Sequence, residues 1–380
     1  MPEYKKKQMY FYLIVLSICS TAGLQCWATL FDNFSVNIVG LDGHHIGALQ
    51  SVREIPGFLA LLVTYVILII KEHKLSALSI IILGAGLFAT GFLPSFSGLI
   101  FTTLIMSFGF HYYETTNKSL TLQYFDKLTS PLVFSAQRSY AAGASVVVGI
   151  IIFFIAPLLS YKTMYIIFGG IILACGLWAI TKNPTNRDIV PQKKQLILKK
   201  EYWLFYFLTF MAGARRQIFM AFAIFLLVKK FGFSVQDITL LFLLNNGINF
   251  FINPLIGIFI VKYGERKLLS IEYFFLILVF VSYAFVDSKL LVAVLYVLDH
   301  MFFNCSTAIN TYFQKIADPG DIASSAAVGF TINHIAAVVL PVIGGLLWMI
   351  DYKIPFLAGA FFSFISLCFV QFIRTKPISL

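Results

Sequence analysis

Charge is scarce in this chain. Of its 380 residues, 12% are Asp, Glu, Lys or Arg, whereas soluble domains carry roughly 25%. A soluble domain of this length still needs a polar skin, so the deficit excludes a water-soluble globule. A hydrophobic content of 59% fits a chain whose solvent is lipid. Long polar stretches are missing as well. The longest runs from Asn183 to Lys200 near the middle, which leaves no room for an inserted soluble domain. The five cysteines, Cys19, Cys26, Cys175, Cys305 and Cys368, stand singly in apolar runs. None has metal or redox spacing, so they read as small buried hydrophobes. No G-x-x-x-x-G-K-[ST] run occurs, which excludes direct drive by ATP.

What the chain has in quantity is apolar runs. A helix needs ~20 such residues to cross a bilayer. Runs of that size recur at 9–37, 45–70, 75–93, 97–125, 132–158, 162–182, 202–229, 235–261, 267–286, 290–315, 322–350 and 353–374. The sequence therefore predicts an all-α integral membrane protein with twelve transmembrane helices. The first run follows Lys5, Lys6 and Lys7. It is too long for a signal peptide and has no small-residue cleavage site, so it reads as a helix that stays in place.

A net charge of +11 could point to nucleic acid. The distribution argues otherwise, because the basic residues sit in short loops between apolar runs. With the N-terminus inside, the cytoplasmic segments hold Lys5, Lys6, Lys7, Lys71, Lys74, Lys127, Lys182, Arg187, Lys193, Lys194, Lys199, Lys200, Lys262, Arg266, Lys267, Lys315, Arg374 and Lys376. The opposite loops hold Lys162, Lys229, Lys230, Lys289 and Lys353. The positive-inside rule then puts both termini in the cytoplasm. The expected location is a bacterial cytoplasmic (inner) membrane, crossed many times.

The two halves repeat at an offset of about 192 residues. The turn Val39-Gly40-Leu41-Asp42-Gly43-His44-His45-Ile46-Gly47 stands opposite Phe231-Gly232-Phe233-Ser234-Val235-Gln236-Asp237-Ile238-Thr239. One span later, Lys71-Glu72-His73-Lys74-Leu75 stands opposite Gly264-Glu265-Arg266-Lys267-Leu268. The run from Gly257 to Lys267 resembles the loop signature of the major facilitator superfamily, which joins the second and third helices of each half. The outer turn Gly40-Leu41-x4-Ile46-Gly47 is similar to that family too. The resemblance covers the whole chain in helix count, midpoint linker and repeat, and points to the superfamily without resolving a subfamily. It implies two pseudo-symmetric six-helix bundles, residues 1–182 and 201–380, tethered by a cytoplasmic linker at 183–200. It also implies a monomer that rocks around a midplane site. The first-half signature is degraded, with Lys71 in the glycine position. Span five lacks the glycine-proline pattern of antiporters, and Pro341-Val342-Ile343-Gly344-Gly345 in span eleven is only a partial echo, so direction of transport stays open.

Burying an ionisable group in lipid costs ~2.5–3.5 kcal/mol even on lenient scales. Intramembrane charges are therefore the candidate site residues. Span four places His111, Glu114 and Lys118 on one helical face, beside Tyr112, with Glu114 ~17 Å deep at ~1.5 Å per residue. Span seven carries Arg215 and Arg216, span ten Asp299, His300 and Asn304, span eleven His334, and span two Arg53 and Glu54 just before Pro56-Gly57. The resemblance implies that helices one, four, seven and ten line a central cavity, which adds Gln25. The expected substrate-binding set is Arg215, Arg216, Gln25, His111, Tyr112, Lys118, His300, Asn304 and His334. The expected proton-coupling set is Glu114, Glu54 and Asp299. Each has a structural alternative: Arg53 with Glu54, and Glu114 with Lys118, read equally as neutralised pairs. Adjacent arginines point ~100° apart, so only one of Arg215 and Arg216 is expected to face a shared ligand. Gly264, Arg266 and Lys267 are expected to gate, as the superfamily loop implies.

The function these features favour is secondary active transport by alternating access. Coupling is expected to protons, and the substrate to be a small anionic or zwitterionic solute such as an organic acid, a phosphorylated metabolite or a siderophore. No cofactor, bound metal or nucleic acid is expected. The alternatives are efflux of hydrophobic cations, a divalent-metal substrate, a non-transporting sensor and a membrane-embedded enzyme. His111 with Glu114, or Asp299 with His300, could do acid–base work, but no nucleophile motif accompanies them.

Overall fold

In lipid every backbone polar group must be satisfied within the chain, which leaves helices or closed barrels. This chain is all helix in the computed structural model, which describes residues 3, 8–41, 43–185, 197–233 and 235–374. Most of the linker, with Arg187, Lys193 and Lys194, lies outside the described residues, as do Lys5, Lys6, Lys7 and Lys376.

The helices are α1 (Gln8–Asn37), α2 (Gly43–Phe58), α3 (Val63–Val66), α4 (Glu72–Thr90), α5 (Phe96–Tyr124), α6 (Ser130–Ile155) and α7 (Tyr161–Ile180). They continue as α8 (Trp203–Ile218), α9 (Ile224–Lys229), α10 (Val235–Tyr263), α11 (Glu265–Phe285), α12 (Lys289–Phe303), α13 (Thr307–Ile316), α14 (Ile322–Ile350) and α15 (Lys353–Val370). Among the described residues these form twelve stretches, because α2–α3, α8–α9 and α12–α13 are each one stretch interrupted by a short irregular turn. Eight of the stretches among the described residues are long and apolar enough to cross a membrane by length and composition.

By contact the chain forms two compact units. Unit one is Met1–Phe125, Ala136–Ile197 and Pro319–Thr331. Unit two is Asp126–Ser135, Leu198–Asp318 and Ile332–Leu380. The boundaries run through α6 and α14, so each unit takes a few turns of helix from the far part of the sequence.

Unit one packs through glycines. A Cβ on Gly109 of α5 would lie 2.3 Å from the Leu83 backbone nitrogen of α4, and one on Gly169 of α7 would lie 2.5 Å from that of Phe88. Close backbone approach at small residues is how helices associate where lipid removes the hydrophobic driving force. The Cys19 and Cys175 thiols meet across α1 and α7, and Cys368 is exposed. The expectation of isolated, buried cysteines is corrected on both points, because sequence spacing does not register neighbours on facing helices. Unit two joins α11 to α15, with the Phe280 ring against Gly359.

The repeat is visible in the backbone. Gly40 and Gly232, at equivalent positions, adopt φ of 77° and 63°, and Gly264 adopts 83°. Side chains disfavour this left-handed region. Lys71, in the degraded first-half position, turns the chain with φ −58° and ψ 136° instead.

Candidate functional site

The three interrupted stretches break where the charges are. Arg53 and Glu54 precede Pro56 and a 3₁₀ turn at Leu59–Leu62. Arg215 and Arg216 end α8, and a π-turn, Phe219–Ala223, follows. Asp299 and His300 end α12, and a 3₁₀ turn, Asn304–Ser306, follows. π-turns and broken membrane helices recur at functional sites, because they free backbone groups and re-aim side chains.

In unit two these breaks enclose a small cavity lined by Ala212, Arg215, Arg216, Phe219, Glu272, Leu276, Asp299, Phe303 and Ser306. The space open to water centres is ≈ 20 Å³, room for about one water. The Arg215 guanidinium lies 3.9 Å from Glu272 Oε1, each side chain 4% exposed. It also donates to Ser366 Oγ of α15 and stands 4.3 Å over the Tyr273 ring. Arg216 stands 5.4 Å over Phe303. Asp299 is buried, and its Oδ2 has no hydrogen-bond partner among the described residues. With both carboxylates ionised the cavity is neutral. A proton on either makes it a net cation.

The structure thus brings together Arg215, Arg216 and Asp299, and adds Glu272. Both arginines line this one cavity. Glu272, on span nine, is not among the candidates drawn from the sequence. It is the sole acid inside the 267–286 run, and the same burial-cost argument would have found it. His300 lies within 6.0 Å of Phe219 and 6.4 Å of Tyr296, ring to ring, and its Nδ1 has no hydrogen-bond partner among the described residues. Asn304 Nδ2 donates to Asn249 Oδ1 at 2.9 Å. His334 is buried on α14.

The unit-one candidates have their own partners. Arg53 pairs with Glu54 at 2.6 Å and lies 5.5 Å over Trp27. His111 Nδ1 lies 3.0 Å from Ser107 Oγ and 2.9 Å from the Ser107 carbonyl. Lys118 is within electrostatic reach of Glu114 and Arg138. Gln25 donates to Thr29 of its own helix at 3.1 Å, and Tyr112 lies edge-on to Phe108.

Of the expected gate, Gly264 makes the turn, and Arg266 donates two bonds to Gln371, at 3.1 and 3.0 Å. Lys267 lies 4.8 Å over Tyr263. The buried charge at this loop is Glu265, 0% exposed and paired with Lys315 at 2.8 Å. The sequence reading passed over it.

The chain matches the family model described as Major Facilitator Superfamily over residues 13–341. No curated protein matches it. Among solved structures it is similar to a major facilitator superfamily transporter, FucP, in the outward conformation, with TM-score 0.76 and 12% identity over 97% of this chain and 99% of that one. It is similar to the human organic anion transporter MFSD10 (TETRAN), with TM-score 0.75 and 10% identity over 98% and 100%. It is also similar to a bacterial homologue of the iron transporter ferroportin, in the outward-facing state with soaked iron, with TM-score 0.78 and 11% identity over 97% and 99%. Likeness at such identities concerns the fold alone.

Proposed function

The chain belongs to the major facilitator superfamily, and on that premise we propose that it is a proton-coupled transporter of a small anionic or zwitterionic solute. Membership makes it a multi-pass membrane transporter and not an enzyme. The observation that carries the finer reading is one cavity lined by two arginines and two carboxylates, with a buried Asp299 oxygen that lacks a hydrogen-bond partner among the described residues. At ≈ 20 Å³ the cavity holds a proton and a water, not a metabolite. It is the coupling site, and the arginines are the groups through which it senses the solute.

The sign of the coupling follows from charge. Protonating Asp299 or Glu272 leaves the arginines in excess, which raises affinity for an anion. By reciprocity the anion raises affinity for the proton. Proton and anion therefore bind together. A hydrophobic cation would compete with the proton instead. In this reading residues 1–182 and 201–380 rock about a midplane substrate site, the linker 183–200 tethers them, and both termini face the cytoplasm of a bacterial inner membrane. The protein works as a monomer.

The test is thermal stability of the purified protein against a panel of organic acids, phosphorylated metabolites and siderophores, at pH 6 and pH 8. A ligand at 100 times its Kd stabilises by about 2.7 kcal/mol. An anion whose shift grows as pH falls, and which loses its effect in Arg215→Gln, supports the proposal. In proteoliposomes, Asp299→Asn or Glu272→Gln should then abolish pH-driven uptake of that anion. Shifts confined to hydrophobic cations, weakening as pH falls and untouched by Arg215→Gln, would replace this reading with efflux.

A further inference from the structure

The turn between α10 and α11 leaves two cations uncompensated among the described residues of unit two. From Lys262 to Lys267 it holds three cations and one acid. The acid, Glu265, is turned inward and paired with Lys315. Arg266 is turned to Gln371. Lys262 and Lys267 remain, one near the end of α10 and the other near the start of α11. Both are exposed, and neither makes an ion pair among the described residues. Both ammoniums nevertheless stand over one ring, that of Tyr263, at 5.3 and 4.8 Å from its centroid. The Phe259 ring supports it at 4.5 Å. An aromatic face attracts each lysine, but two ammoniums at one ring repel each other, and an anion beside the ring offsets that repulsion.

The apolar surface next to these lysines repeats with the same period. On α10, Phe251, Leu255 and Ile258 stand at i, i+4 and i+7, and Lys262 follows at i+11. On α11, Lys267 is followed by Ile271, Phe274 and Leu278 at i+4, i+7 and i+11. Such spacings keep each series on one helix face, and all six apolar side chains are exposed. Each helix therefore carries an apolar stripe that ends in a lysine, and the lysines meet at Tyr263. A phospholipid has the matching outline, with two apolar chains joined at one anionic headgroup. The corresponding turn of the first half lacks this arrangement. Ile69 and Ile70 stand opposite Lys262 and Tyr263, and only Lys74 matches Lys267.

We infer that Lys262, Tyr263 and Lys267 form a binding site for an anionic phospholipid. The two ammoniums hold its phosphate, and its chains lie along the stripes of α10 and α11. On the positive-inside reading the turn is cytoplasmic. The leaflet there is anionic, and each basic residue near its surface strengthens attraction by about fivefold. The ligand is the lipid and not free phosphate, because the stripes continue the site into the bilayer, where a soluble anion does not go. The site is separate from the Arg215 cavity and does not depend on proton coupling.

Native mass spectrometry of the full-length protein, released from detergent with phosphatidylglycerol or phosphatidylcholine added, counts the bound lipids. The wild type should bind its first phosphatidylglycerol at least about fivefold more tightly than phosphatidylcholine. Lys262→Met with Lys267→Met should weaken that first site by about 25-fold, fivefold for each lysine, and Arg at both positions should retain it. Lys71→Met with Lys74→Met removes the same charge from the first-half turn and should leave the first site unchanged. Equal affinity of the wild type for the two lipids would overturn the site. So would equal losses in the two Met pairs, because the attraction would then be that of any basic surface. If inorganic phosphate at the same concentration displaces the lipid, the ligand is a soluble anion and the lipid assignment is wrong.

Discussion

Replacing Arg215 with Gln should destabilise the protein by roughly 3–5 kcal/mol, the cost of breaking a buried ion pair by removing one partner. The structure sets this scale. Arg215 and Glu272 are each 4% exposed and 3.9 Å apart, so solvent screens them little. At an effective dielectric of about 20 the attraction is about 4 kcal/mol. Losing Arg215 also removes the donor to Ser366 Oγ and uncovers the Tyr273 ring. Glu272→Gln should cost a similar amount, because it leaves the arginine buried beside Asp299 alone. The informative variant is the double one. Arg215→Gln with Glu272→Gln removes both charges, and its loss should fall well short of the sum of the singles. An interaction energy of about 2 kcal/mol or more is expected, within the range for residues in direct contact. The assay is unfolding of the purified protein in bicelles, by steric trapping or thermal fluorescence, at one pH and salt concentration. Additive losses, or a single loss under about 1 kcal/mol, would show that the two residues are not a charge unit. The cavity would then have to be reread as two independent sites.

Gly264→Ala forces a side chain into φ 83°, ψ 164° and should cost roughly 1–3 kcal/mol, whereas Gly170→Ala, where a Cβ meets open space, should be neutral or stabilising by up to about 1 kcal/mol. Equal melting shifts for the two would contradict the assigned turn geometry. Lys315→Met removes the cation paired with Glu265, which is 0% exposed, and should cost roughly 3–5 kcal/mol. Adding Glu265→Gln should recover much of that, and no recovery would mean that Lys315 acts through packing alone.

The candidate site was half legible in the sequence. Arg215, Arg216 and Asp299 stood out because a charge inside an apolar run is costly wherever it points. Glu272, on span nine, obeys the same rule and was not singled out. Ser366 and Tyr273 could not have been found, since an isolated serine or tyrosine in an apolar run is unremarkable until a guanidinium lies against it. Gln25 was marked by its place on span one, and its amide bonds to Thr29 one turn away.

By itself the sequence determined the class of the molecule. Apolar runs of bilayer length and basic residues gathered in every other loop are local properties set by what lipid permits, and the repeat at about 192 residues is read along the chain in the same way. The tertiary structure decided what those helices do together. It placed Glu272 of α11 and Asp299 of α12 beside the arginines of α8, and it broke three stretches next to their charges. It also moved the start of α6 and the start of α14 into units formed mostly by distant sequence. Partners of a buried charge come from helices tens of residues apart, and nothing in the spacing along one helix specifies which face of another will meet it.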